Sequence, residues 1–136
     1  MIHPPYVPSV SQYETSISAV HNLINDKQVA LLQAHYNAPN RTITAPQLAQ
    51  AIGINGFSTV NLQYGRFAHM LCDALNFVPN RRADGTYRWW SILGSGIPSN
   101  REHGFQWVMH EQLAQALEEL GWISNEQFSL PEEIKT

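Results

Sequence analysis

The order of apolar and polar positions predicts a mostly helical chain organised around two helices within residues 42–77. The first helix of this pair begins at Thr44, which forms a Thr-x-x-Gln capping box with Gln47. It ends at Gly53, because glycine readily takes the left-handed conformation that terminates helices. A tight turn and a longer helix follow, so the pair has the outline of a helix-turn-helix unit.

The longer helix is predicted over Thr59–Leu75, with Ser58 as its N-cap. At about 100° per residue, one arc is apolar and is expected to face the core: Val60, Tyr64, Phe67, Leu71, Ala74 and Leu75. This N-cap and the first two turns carry polar side chains that are candidates for DNA contacts in a major groove: Ser58, Thr59, Asn61, Gln63 and Arg66. The pair is therefore a candidate DNA reader, although the same outline also occurs in helical domains that only pack.

The N-terminal part of the chain is predicted to form an extended arm followed by two helices. Residues 1–10 are the arm, because three of the first eight residues are proline. The domain itself is predicted over residues 11–123, with helices capped by Ser11 and by Asp26. Thr42-Ile43 is expected to add a short strand before the helix pair.

The C-terminal part is predicted to form a β-hairpin, a closing helix and a tail. Thr86–Leu93 and Phe105–Met109 are rich in aromatic and branched residues and are the two predicted strands. The closing helix is expected to end at Gly121, and residues 124–136 form an acidic tail. The predicted fold is α+β and mostly helical: a winged helix-turn-helix-like domain with a C-terminal hairpin and a closing helix.

Four arginines on or beside the predicted hairpin are candidates for phosphate contacts: Arg81, Arg82, Arg88 and Arg101. Trp89 and Trp90 are neighbours, so on a strand they would point to opposite faces. One of them is then expected in the core and the other at least partly exposed. The exposed ring is suited to base stacking or a partner pocket, or it covers the C-terminal helix.

Composition limits the classes of function. Hydrophobic residues make up 43 % of the chain and charged residues 14 %, which is typical of a folded domain. The net charge of −3 argues against strong nonspecific DNA binding, but the charge is uneven. Residues 41–104 hold six arginines against three carboxylates, whereas residues 105–136 hold six glutamates and one lysine. No apolar run has membrane-spanning length, and the lack of a signal peptide and of paired cysteines favours the cytoplasm.

No catalytic chemistry is visible in the sequence. There is no phosphate-binding glycine loop, no nucleophile elbow and no His-Glu-x-x-His motif. Cys72 is placed near the polar side of the long helix without a basic neighbour, and no Cys/His cluster has zinc spacing. The sequence therefore predicts neither an enzyme, nor a cofactor, nor a metal.

Several segments together resemble a domain of bacterial HNH-endonuclease-like proteins of the modified-DNA restriction type: AHYNAPNRTITAPQLAQAIG, VNLQYGRFAHMLCDAL, RWWSIL and FQWVMHEQLAQALEELGWI. The similarity covers about residues 28–123, and its most specific pieces are Asn61–Gly65 and Leu117–Trp122. In those proteins the segment precedes a nuclease, and this chain carries no HNH motif. The resemblance implies a targeting module that reads DNA, with modified bases as one alternative target, and leaves cutting to another polypeptide or segment.

Two functions follow from these observations, and an enzyme with an unrecognised site is a third, weaker alternative. The first is a DNA-binding module for double-stranded DNA, in which the long helix reads bases and the hairpin arginines hold phosphates. The second is a protein-binding module, such as a phage or mobile-element inhibitor or an adaptor. The low charge, the apolar Leu62 on a polar helix face and the acidic C-terminal third suit this second function.

Overall fold

The computed structural model describes residues 4–97 and 105–123. Within them the chain forms five α-helices and a three-stranded antiparallel sheet, which confirms the α+β, mostly helical prediction. The elements are, in order, α1 Val10–Ala19, α2 Asp26–Asn37, β1 Thr42–Thr44, α3 Ala45–Ile52, α4 Phe57–Leu75, β2 Gly94–Ile97, β3 Gln106–Met109 and α5 Glu111–Glu119. Short 3₁₀ turns lie at His21–Leu23, Pro39–Arg41 and Trp89–Ile92. The predicted acidic tail, residues 124–136, lies outside the described residues.

Three helices begin with a reciprocal capping box, in which the N-cap side chain and a glutamine three residues on bond each other's backbone amide: Ser9 with Gln12, Asn25 with Gln28, and Thr44 with Gln47. The third box and the left-handed Gly53 after it confirm the prediction for α3. The caps predicted at Ser11 and Asp26 are wrong: α1 begins two residues earlier than expected, after Ser9, and α2 begins one residue earlier, after Asn25.

Helix α4 begins at Phe57, so the predicted cap at Ser58 is also wrong. Gly56 takes the N-cap position at φ +79°, where an L side chain is strained, and no side chain caps the helix. The predicted core face is buried at Val60, Tyr64, Phe67 and Leu71. Ala74, predicted to be in that face, is exposed.

Cys72 is buried, and its predicted place near a polar surface is wrong. The chain after α4 turns back and packs the 3₁₀ turn Trp89–Ile92 against this helix. That segment covers the side of α4 on which Cys72 lies, and the thiol comes within 4.0 Å of the Trp89 carbonyl oxygen. The hydrophobic core therefore extends further round α4 than the apolar arc of its own sequence.

The sheet has the order β1-β3-β2, with Thr42 opposite Val108 and Gly94 opposite Met109. The strand predicted at Thr42-Ile43 is confirmed, and β3 falls within the predicted Phe105–Met109. The strand predicted over Thr86–Leu93 is wrong, because the hairpin strand is the glycine-containing β2 that follows it.

Glycine is required at the start of β2 because the neighbouring strand lies too close for a side chain. A Cβ atom on Gly94 would lie 2.2 Å from the carbonyl oxygen of Val108. The preceding Ile92 and Leu93 are buried in the core, and the Tyr13 hydroxyl of α1 donates to the Ile92 carbonyl oxygen over 2.7 Å. Tertiary contacts thus override the strand propensity of the aromatic segment.

Helix α5 closes the domain as predicted. Its inward face is buried at Leu113, Ala114, Ala116 and Leu117, and it packs against α1. Gly121 follows at φ +80°, and Ile123 folds back into the core. None of the helices that the structure describes is both long and apolar enough to cross a membrane.

Candidate functional site

A cavity of about 590 Å³ lies between the first half of α4, residues 82–90 and the start of β3. Six of the residues that line it are aromatic: Tyr64, Tyr87, Trp89, Trp90, Phe105 and Trp107. The remaining lining residues are Asn61, Gly65, Arg82 and Arg88. The cavity thus combines many π surfaces with an amide and two guanidinium groups, and none of its lining residues in the described part of the chain is a carboxylate.

One part of the wall is held by stacked rings. The Trp89 indole stacks on the His69 imidazole, with 3.8 Å between ring centroids and an interplanar angle of 13°. Tyr87 packs against the same indole at 5.0 Å. Arg81 lies over the Tyr87 ring and donates to its hydroxyl over 2.8 Å. These contacts fix Trp89 and Tyr87 before any ligand arrives.

A second part of the wall is the edge-to-face pair Trp90 and Phe105, whose ring centroids are 5.3 Å apart. Gly96 of β2 makes room for both rings. A Cβ atom there would lie 2.1 Å from Phe105 Cζ and 2.7 Å from Trp90 Cη2. The glycine of the hairpin strand therefore determines where these two rings lie.

The third part of the wall rests on a buried histidine. His35 of α2 is fully buried, with Nδ1 2.7 Å from the Tyr64 hydroxyl and Nε2 3.0 Å from the Trp107 carbonyl oxygen. Because a carbonyl oxygen only accepts, Nε2 must carry the proton, and the Tyr64 hydroxyl must donate to Nδ1. Burial lowers the pKa of His35 to about 4, so the imidazole is neutral and holds Tyr64 and Trp107 together.

Two polar side chains at the cavity are not used by the fold. Asn61 and Arg88 are exposed, and neither side chain has a hydrogen bond or ion pair to any residue that the structure describes. Arg82 is different, since it donates to the Tyr87 carbonyl oxygen over 2.8 Å and to the Thr86 hydroxyl over 3.3 Å. Asn61 and Arg88 are therefore the groups that are free to bind a ligand.

The structure brings together only three of the nine predicted DNA-binding residues: Asn61, Arg82 and Arg88. Gln63 instead accepts a hydrogen bond of 3.0 Å from Asn25 of α2. Arg66 lines a separate cavity of about 400 Å³. Three more do not line the aromatic cavity: Ser58 is exposed, Thr59 is half-buried, and Arg81 lies over Tyr87. The ninth, Arg101, is outside the described residues.

The prediction that Trp89 and Trp90 point to opposite faces is wrong. Both are half-buried and both line the cavity, because they lie on a 3₁₀ turn and not on a strand. Gly65 and His35 also belong to the site, and neither was predicted from the sequence. A glycine in the middle of an amphipathic helix was a usable signal for the first, but nothing near His35 in the sequence indicates its partners.

Arg41, one of the six arginines in residues 41–104, does not line the cavity and makes its contacts elsewhere. Its guanidinium lies 3.9 Å above the Tyr36 ring centroid and within 4 Å of the carboxylates of Glu111 and Glu118. The Tyr36 hydroxyl also donates to Glu118. This arginine ties α2 to α5 and does not add to the positive charge at the cavity.

No group of three or more His, Cys, Asp or Glu residues suited to a metal ion occurs in residues 4–97 and 105–123. The chain matches no known protein-family model, no curated protein and no solved structure. The cavity and the surface around it are therefore the features that indicate a function.

Proposed function

We propose that this protein is a non-catalytic module that binds double-stranded DNA. The observation that carries the proposal is the aromatic cavity beside α4, where, among the described residues, Asn61 and Arg88 have no partner and no carboxylate opposes a phosphate. Aromatic rings stack on bases, an amide pairs with base edges, and guanidinium groups bind phosphates. Nucleic acid is the ligand that uses all three kinds of group at once.

The arrangement of elements supports the same function. Helices α3 and α4 pack together, and the β2–β3 hairpin follows them, where a winged helix-turn-helix protein carries its wing. We interpret the domain as winged-helix-like, with the first turns of α4 facing DNA. The resemblance to the modified-DNA restriction type would make modified bases the preferred target.

Fluorescence anisotropy with labelled duplexes at two salt concentrations tests the proposal. Binding through several phosphates must weaken steeply as salt rises, because bound cations are displaced by protein and released. Cytosine-methylated and unmethylated duplexes of one sequence are compared. The absence of duplex binding at low salt would refute the proposed function.

A protein-binding module is the second candidate, favoured by one feature of α4. Phe57 and Leu62 are large apolar side chains in its first two turns, and they are 54 % and 50 % exposed. Exposed apolar groups of this size are typical anchors for a protein partner. A complex anchored in this way would change little with salt, and Leu62→Ser would weaken it.

A further inference from the structure

Gly65 stands in the middle of the 19-residue helix α4 although the fold does not require glycine there. Its φ is that of an ordinary helical residue, and an added Cβ would meet no described atom within 4 Å. Glycine is the least favourable helix residue after proline. By contrast, Gly94 and Gly96 are needed because neighbouring atoms fill the space beside them.

The space left open by Gly65 belongs to the aromatic cavity, since Gly65 is one of its lining residues. Asn61 lies one helical turn before it and lines the same cavity. The volume of about 590 Å³ lies within the roughly 300–1,000 Å³ of small-ligand sites. A side chain on Gly65 would take up this space, so the glycine keeps the cavity open for a group that is not part of the described chain.

The lining of the cavity identifies the chemistry of that group. The aromatic rings favour a flat π system, and the Asn61 amide offers one acceptor and two donors for its edge. Arg88, which has no ion-pair partner among the described residues, supplies a positive charge beside the rings. A flat heterocycle joined to an anion, as in a nucleotide, matches this set.

We propose that the cavity receives one DNA base that has left the duplex stack, with Asn61 contacting the base edge and Arg88 the adjoining phosphate. This inference rests on the proposed function, because the base comes from a bound duplex. Extruding a base requires unstacking and unpairing, which is easiest for a mismatched or damaged pair. The protein should therefore prefer a duplex with one weakened pair to the same duplex fully paired.

The first test compares binding to two duplexes that differ only in a central T·T mismatch. Wild-type protein should bind the mismatched duplex about tenfold more tightly, since extrusion then costs less. Gly65→Leu fills the open space and should abolish this preference. Ala74→Leu adds the same side chain at an exposed position of the same helix, outside the cavity, and should keep the preference.

The second test locates the base without any variant. A duplex with 5-iodouracil at the mismatch is irradiated with the wild-type protein, and the cross-linked peptide is sequenced. Cross-links to Trp89, Trp90 or Phe105 are expected. This readout decides the question even if Gly65→Leu does not fold.

The outcomes separate the two proposals. Salt-sensitive duplex binding with no mismatch preference and no cross-link at the cavity would overturn the extruded base and leave DNA binding standing. Absence of salt-sensitive duplex binding would overturn both. If free thymidine monophosphate binds as tightly as the mismatched duplex, the cavity is a small-molecule site and the extruded base is again excluded.

Discussion

The Tyr64 hydroxyl of α4 donates to Nδ1 of the buried His35 of α2, and the other imidazole nitrogen donates to the Trp107 carbonyl oxygen of β3. One neutral imidazole therefore joins a helix and a strand behind two of the rings that line the aromatic cavity. Protonation of His35 would remove the acceptor that Tyr64 uses. The arrangement of the cavity wall and the stability of the fold thus both depend on the protonation state of His35.

Acid should destabilise the domain through His35. Its pKa is about 4 in the folded protein, below the ordinary 6.5, because burial disfavours the imidazolium. Between these values the unfolded chain binds more protons, so stability is full above pH 6.5 and is lost as pH falls towards 4. The loss attributable to His35 is on the order of 3 kcal/mol.

Urea unfolding of wild type and His35→Gln at pH 7 and pH 4.5 measures this effect. The variant should be less stable at pH 7, and its stability should fall less between the two pH values. His110→Gln is the control variant. Burial lowers the pKa of His110 as well, but its Nε2 hydrogen-bonds the Ser91 carbonyl oxygen, away from Tyr64. An equal pH dependence in wild type and His35→Gln would contradict the prediction.

Replacing Gly65 and Gly96 by alanine should change stability in opposite directions. Gly65→Ala adds a methyl group in open space to a helix interior and should stabilise by about 0.5–1 kcal/mol. Gly96→Ala places a methyl group against the rings of Phe105 and Trp90 and should destabilise by about 1–3 kcal/mol. Thermal unfolding of the two variants provides the measurement, and stabilisation by Gly96→Ala would show that the ring pair is free to move.

Arg88→Ala should weaken DNA binding without affecting the fold. The Arg88 side chain has no bond to a described residue, so its loss should leave the unfolding midpoint unchanged. Losing one phosphate contact should reduce the slope of log affinity against log salt by about one. Lys27→Ala, which removes an exposed charge from α2, is the matched control and should leave the slope as it is. The same slope for Arg88→Ala and wild type would exclude this arginine from phosphate binding.

Tyr13→Phe should loosen the segment that carries the tryptophans. The Tyr13 hydroxyl is buried and donates to the Ile92 carbonyl oxygen at the end of the 3₁₀ turn. Removing it leaves a buried carbonyl without that donor, which costs about 1–3 kcal/mol. Urea unfolding measures the cost, and amide exchange at residues 89–93 should rise. Unchanged stability would mean that the carbonyl finds another donor.

The helix pair could be predicted from sequence because its signals are local. The Thr44 capping box and Gly53 lie within ten residues, and the apolar period of α4 is read along one segment. The cavity could not be predicted in the same way, since Asn61, Arg88 and Trp107 come from three separate parts of the chain. The segment that contains Trp89 is rich in the aromatic and branched residues that are typical of strands, yet it packs on α4 as a 3₁₀ turn.

The burial of Cys72 has a consequence for experiments on the intact protein. Burial raises the pKa of this thiol to about 12, so very little thiolate is present at neutral pH. Cys72 is the single cysteine of the chain, and its sulfur lies 4.0 Å from the Trp89 carbonyl oxygen. The rate at which an alkylating reagent modifies native protein therefore reports how often residues 77–93 lift away from α4. A ligand that keeps residues 77–93 packed on α4 will slow the alkylation of Cys72. This measurement requires no added label on the protein.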